Sequence, residues 1–95
     1  MPAYVVADIE IHDEQKFEEY KQRAPASIAA YGGRYIVRGG QVESLEGGWA
    51  PRRLVIIEFP SMEKARAWWN CAAYSEAKII RQTASRAKFL VAEGL

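Results

Sequence analysis

The chain is poor in the residues that carry most metal and redox chemistry, with one cysteine and one histidine among 95 residues. Cys71 alone cannot form an internal disulfide. Together with His12 it falls short of a zinc set unless several carboxylates join them. Charge of one sign is also lacking: thirteen basic and twelve acidic side chains give a net charge of +1, with no block of like sign. A nucleic-acid or anionic-membrane footprint needs a clustered basic face, so neither partner is expected. No apolar run approaches the roughly 20 residues of a membrane-spanning helix. Asp8 and Glu10 stand where a secretory leader would be basic, so the expected location is the cytoplasm. There are no internal repeats and no low-complexity segments.

What is present centres on Arg53-Leu54-Val55-Ile56-Ile57-Glu58-Phe59, closed by Pro60. The run is β-branched and apolar on both alternating sets of positions, the mark of a strand covered on both faces. Ahead of it, Tyr4–Ile11 reads as a first strand, with Val5, Ala7, Ile9 and Ile11 on one side. Asp13 is placed to cap a helix whose stripe is Phe17, Tyr20, Ala24, Ile28 and Tyr31. Pro25 should kink or restart that helix, and Gly32 should end it. Arg34–Arg38 begins a second strand. The Gly39-Gly40 pair suggests a bulge before Gln41–Leu45 resumes it, and Glu46–Pro51 forms a hairpin loop.

After the organising strand, Ser61 caps a second helix with Met62, Ala65, Trp68, Trp69 and Ala72 inward. A break is expected near Ala73-Tyr74-Ser75, then a helical piece carrying Ala77, Ile80 and Ala84, then a last strand at Lys88–Ala92. The whole chain, residues 1–95, therefore reads as one domain of order β-α-β-β-α-β. This is the α+β, ferredoxin-like pattern: a four-stranded antiparallel sheet with both helices on one face. Its other face would hold large aliphatic residues in water, each worth roughly 1.5–3 kcal/mol when buried. Such a patch marks an interface, and a twofold homodimer with sheet packed on sheet is the expected solution.

Several short motifs then stand in a recognisable order: Met1-Pro2-Ala3-Tyr4, Tyr31-Gly32-Gly33-Arg34-Tyr35, Arg38-Gly39-Gly40, Leu45-Glu46-Gly47 with Trp49, Pro51-Arg52-Arg53 and Glu58-Phe59-Pro60-Ser61. With these the chain resembles the domain-of-unknown-function 1330 family, within the dimeric α/β-barrel superfamily. The resemblance spans nearly the whole chain. It implies a ferredoxin-like protomer and a dimer whose sheets form a barrel, and no established reaction. Relatives in the wider superfamily include cofactor-free oxygenases and haem-degrading enzymes, a similarity of fold and residue type that does not confer function. The family tends to carry a Ser and then a Pro-like or acidic residue before a Tyr, where this chain has Cys71-Ala72-Ala73-Tyr74.

The residues able to carry chemistry are few. Arg38, beside the glycines, could aim its donors at an anionic ligand or pair with Glu58 or Asp8. Glu58, charged inside the most apolar strand, needs a partner or must shift its pKa; as an acid or base it would suit the end of a cavity. Asp8 shares that ambiguity. Trp68 and Trp69 point about 100° apart on a helix, so one can face the core while the other, with Tyr74, walls a pocket. Arg81 could point back toward Tyr74 or outward to water, the exposed ion pair being the preferred reading; His12 reads as solvent-facing and Cys71 as a small buried or half-buried side chain.

The expected function is thus a homodimer with a small cavity between sheet and helices, lined by some of Arg38, Glu58, Trp68, Trp69 and Tyr74. Its chemistry would be cofactor-independent, an oxygenation or isomerisation of a small aromatic or carboxylate compound, with Arg38, Glu58 and Asp8 as catalytic candidates. The alternatives are a non-catalytic binding or stress-related protein and a structural dimerisation module. No metal and no cofactor are called for.

Overall fold

Strict alternation builds the sheet. In the computed structural model, which describes Met1–Leu95 throughout, β1 (Ala3–Ile11) buries Ala3, Val5, Ala7 and Ile9 and leaves the intervening side chains less covered. β3 (Leu54–Phe59) does the same with Val55, Ile57 and Phe59. β1 lies antiparallel between β3 and β4 (Ser85–Glu93), and β2 (Arg34–Arg38) completes the order β2-β3-β1-β4. The helices α1 (Glu14–Ala30), α2 (Met62–Asn70) and α3 (Ala72–Ala84) cover the face carrying Val5, Ile9, Val55 and Ile57. Phe17, Tyr20, Ala24 and Ile28 enter the core from α1, Ala65 and Trp68 from α2, and Tyr74, Ala77 and Ala84 from α3. The ferredoxin-like class expected from the sequence is what the chain adopts.

The local signals held where a side chain or glycine fixes an end. Asp13 accepts from the Lys16 N–H at 3.1 Å and Ser61 from the Lys64 N–H at 3.1 Å, capping α1 and α2. Gly32, at φ 77°, closes α1 in the left-handed region. Pro25 neither splits nor restarts the helix: α1 runs through it.

Three expectations need correction. β2 stops at Arg38, and residues 39–53 form no strand, so Gln41–Leu45 does not resume the ladder. The irregularity lies inside β2 instead: Tyr35 pairs with Ile57 but Val37 pairs with Ile56, leaving Ile36 as the extra residue. The helical break falls at Cys71, earlier than expected. Its extended backbone (φ −73°, ψ 156°) ends α2, and its sulfur accepts from the Tyr74 N–H at 3.4 Å to begin α3.

Candidate functional site

The bulge at Ile36 decides where Arg38 goes. Unbroken alternation would set Arg34, Ile36 and Arg38 on one face; the extra residue pairs Arg38 with Val55, whose face is the helix-covered one. There the Arg38 guanidinium lies over the Tyr35 ring, 4.3 Å from its centre. It edges a crevice of only about 20 Å³ shared with Lys21, Tyr35 and Arg53. Burial pushes the Tyr35 hydroxyl above its ordinary pKa, while Arg38 and Arg53 pull the other way. Arg38 forms an ion pair with neither Glu58 nor Asp8.

Glu58 lies on the open face, opposite the helices. Its Oε1 accepts from Arg34 Nε at 2.7 Å and its Oε2 from the Tyr4 hydroxyl at 3.2 Å. The Arg34 hydrogen bond holds its carboxyl below the usual range despite some desolvation, and desolvation first, then the Glu58 carboxylate, raise the Tyr4 phenol. Asp8 lies on the same face at the far end of β1, where Trp49 Nε1 reaches its Oδ2 at 3.4 Å. The three charged candidates are therefore not one constellation. Arg38 is separated by the sheet from the two carboxylates.

The aromatic candidates do converge. Trp68 is fully buried, with its indole N–H donating to Ser27 Oγ at 3.1 Å and its ring 4.0 Å from that of Tyr74. Tyr74 is equally buried and shares a 2.9 Å hydrogen bond with the Tyr20 hydroxyl. Trp69 is half-exposed and turns toward β4, with its ring centre 5.3 Å from that of Phe89. Two recesses flank this Trp69–Phe89 pair. One, of about 270 Å³ between α2 and β4, is walled chiefly by Val5, Ala65, Trp68, Trp69, Phe89 and Val91, with Arg66 and Asn70 as its polar members. The other, of about 290 Å³ between α3 and β4, is bounded by Trp69, Arg81, Gln82, Ser85, Ala87 and Phe89.

The sequence did not single out Lys78 or Phe89, and of its two readings of Arg81 the one toward Tyr74 is what the chain adopts. Arg81 is not an exposed ion pair but a buried guanidinium. The signal was available, because Tyr74, Ala77, Arg81 and Ala84 fall at spacings of three, four and three, one stripe of α3. Lys78 sits with its ammonium 3.9 Å from the Trp69 ring centre and donates to the Trp69 carbonyl at 3.0 Å. Burial, and then the neighbouring Arg81 charge, lower its pKa.

The site takes shape as an apolar, aromatic recess with cations at its margin. No group of three or more His, Cys, Asp or Glu gathers to hold a metal, and no helix is long and apolar enough to cross a membrane. Fold and site together define a ferredoxin-like α+β protein with two recesses between its helices and its last strand. More particularly, the chain belongs to the DUF1330 family, a domain of unknown function, whose family model matches residues 2–95. A comparison with curated proteins finds no match.

Solved structures share the fold at low identity. The protein of unknown function RPA0582 from Rhodopseudomonas palustris is 17% identical with a TM-score of 0.80, over 99% of this chain and 82% of its own. SnoaB, a cofactor-independent oxygenase from Streptomyces nogalater, is 11% identical with a TM-score of 0.69, over 99% and 93%. A dimeric ferredoxin-like protein of unknown function from Thermobifida fusca is 14% identical with a TM-score of 0.66, over 99% and 92%.

Proposed function

We propose that the protein is a homodimeric, cytoplasmic small-molecule-binding protein, each protomer holding one planar aromatic compound against Trp69 and Phe89. The observation that carries this reading is the apolar recess of about 270 Å³ between α2 and β4. It falls just below the ~300–1,000 Å³ range of ligand pockets and has their make-up, mostly apolar walls with a few polar groups. A purely structural dimerisation module makes no use of such an apolar recess. The dimer follows from the open sheet face and agrees with the dimeric relative of the same fold.

A catalytic version, isomerisation or cofactor-independent oxygenation, is the second reading. Both reactions begin by taking a proton from the substrate, which calls for a base. No carboxylate or imidazole borders either recess. Lys78 is the group in its favour, an amine with a lowered pKa lying on the Trp69 ring. The fold shared with SnoaB is compatible with this chemistry and does not select it.

Calorimetric titration with 1-naphthol tests the binding reading. Saturable heat is expected for the unaltered protein, with at least a ~10-fold loss of affinity in Trp69→Leu, given the worth of aromatic contacts in a desolvated pocket. Absence of any saturable binding, by 1-naphthol or by a panel of quinones and phenols, overturns it in favour of a structural module. Oxygen uptake or product formation with that panel, lost in Lys78→Met, would decide for the enzyme.

A further inference from the structure

We propose that the groove between α3 and β4 binds the carboxylate of an aromatic acid, with Arg81 as its partner and the ring lying against Trp69 and Phe89. The inference rests on the binding function proposed above, assigns the ligand to the second of the two recesses that share Trp69 and Phe89, and names the class of compound that this recess takes.

Arg81 is 4% exposed. A guanidinium withdrawn from water needs compensation, because a buried ion loses its hydration. The usual compensation is a carboxylate, and Arg81 has none: the ion pairs of the chain are Lys21–Glu18, Arg23–Glu19, Arg23–Glu76 and Arg34–Glu58. What it has is aromatic. Its guanidinium carbon is 4.2 Å from the Phe89 ring centre, 5.9 Å from that of Tyr20 and 6.0 Å from that of Trp69. Each such contact is a cation held against the negative face of an aromatic ring. They stabilise the charge without using its hydrogen-bond donors.

The donors are accounted for one by one. Nε donates to the Tyr74 hydroxyl at 3.4 Å. The two terminal nitrogens make no hydrogen bond within the chain. Nor are they sealed, since the one fully buried side-chain nitrogen or oxygen without a partner is Arg53 Nε. The small exposure that Arg81 retains therefore belongs to the side that meets the groove of about 290 Å³. Tyr74 fixes one edge of the fork and Phe89 its plane, so the free edge is held in place before any ligand arrives. Paired N–H donors of this geometry match the two oxygens of a carboxylate.

The surroundings favour an anion and a ring together. The groove's other polar members are neutral: Gln82, and Ser85, whose hydroxyl proton is spent on the Arg81 carbonyl at 2.8 Å. Lys78 is the second cation, on the face of Trp69. It lies outside the groove's lining, but burial and then the Arg81 charge lower its pKa, so the two positive groups sense each other. Trp69 and Phe89, tilted 49° to one another, offer the apolar walls that an aryl ring would cover. A free inorganic anion would leave those walls wet.

The test compares 1-naphthoate with its neutral isostere 1-naphthamide by calorimetry at pH 7.5. The acid is expected to bind on the order of ten times more tightly, the scale of a charge-assisted paired contact. Arg81→Gln should reduce that preference to about unity while leaving the amide's affinity in place, and Lys78→Met should weaken it partially. Equal affinity for acid and amide in the unaltered protein overturns the carboxylate site and leaves the binding function standing. Failure of 1-naphthol, acid and amide alike removes both. The acid–amide comparison needs no variant, so it decides the matter even if substitution of Arg81 prevents folding.

Discussion

Tyr74 joins the core to the site through one oxygen atom. Its hydroxyl accepts from Arg81 Nε at 3.4 Å and shares a 2.9 Å hydrogen bond with Tyr20. Burial pushes the Tyr20 phenol far above the tyrosine range, and the Tyr74 oxygen reinforces the effect. Tyr20 therefore stays a neutral phenol through the ordinary tyrosine range. Since Tyr74 serves two partners and Tyr20 one, their deletions should differ. Tyr20→Phe removes one buried hydrogen bond and should cost about 1 kcal/mol. Tyr74→Phe strands both the Tyr20 hydroxyl and Arg81 Nε, and should cost about 2–3 kcal/mol at nearly unchanged volume. Urea denaturation of the two variants ranks them, and equal losses would show that the Arg81 bond contributes nothing to the fold. At this scale the sequence was readable by residue type but not by pairing. Glu58 did need a partner, as its setting required, yet that partner is Arg34 and not Arg38, because side-chain alternation is counted from a register that only the bulge reveals.

Among the elements, α1 runs on through the proline that the sequence suggested would kink or restart it. Pro25 lies well inside Glu14–Ala30, so the Lys21 carbonyl receives no helical N–H from it. Interior proline costs about 3 kcal/mol, of which its stiffening of the unfolded chain returns up to ~1. Pro25→Ala should thus raise stability by about 2 kcal/mol, read as a higher midpoint in urea; an unchanged midpoint would mean that α1 needs the distortion to lie on the sheet. Helix starts were legible because a capping side chain acts within three residues, as Asp13 and Ser61 do. The α2–α3 break was less so. No glycine or proline marks it, and it depends on Asn70 turning back to the Arg66 carbonyl (2.9 Å) and on Cys71 acting as a cap. The extent of β2 was overread for a related reason. Gln41–Leu45 has the alternation of a strand, but Gly39 enters the left-handed region at φ 73° and turns the chain out of the ladder. Trp49 then secures the loop to β1 by a side-chain hydrogen bond to Asp8 rather than by ladder hydrogen bonds.

The whole molecule is a slab with Cα extents of 35 × 33 × 16 Å, one layer of helices on one sheet. Two layers can hide a sheet from one side only. The uncovered side presents Val6, Leu54, Ile56 and Val37 half-buried among their neighbours, with Leu90 59% and Ile36 44% exposed. Tyr4, Arg34 and Glu58 edge this face at one end, and Asp8, Glu10, Arg86 and Lys88 at the other. An apolar middle with a polar rim is the anatomy of a protein–protein interface. A standard one covers ~800 Å² per partner, about an eighth of the 6200 Å² of this protomer, which the broad face of the slab can supply. Association costs at least ~4 kcal/mol, so several of these side chains must be sealed together. Ile56, paired with Val6 on one side and Val37 on the other, occupies the centre of that patch. Ile56→Glu should therefore place an unpaired charge in the middle of the interface. The variant is expected to sediment as a monomer at micromolar concentration where the unaltered chain sediments as a dimer. Its circular dichroism should be unchanged, because Ile56 faces away from the helices. A parent protein that is already monomeric at that concentration would leave the sheet face open to water and remove the dimer from the proposed function. The recesses beside Trp69 and Phe89, on the helix-covered side, would remain.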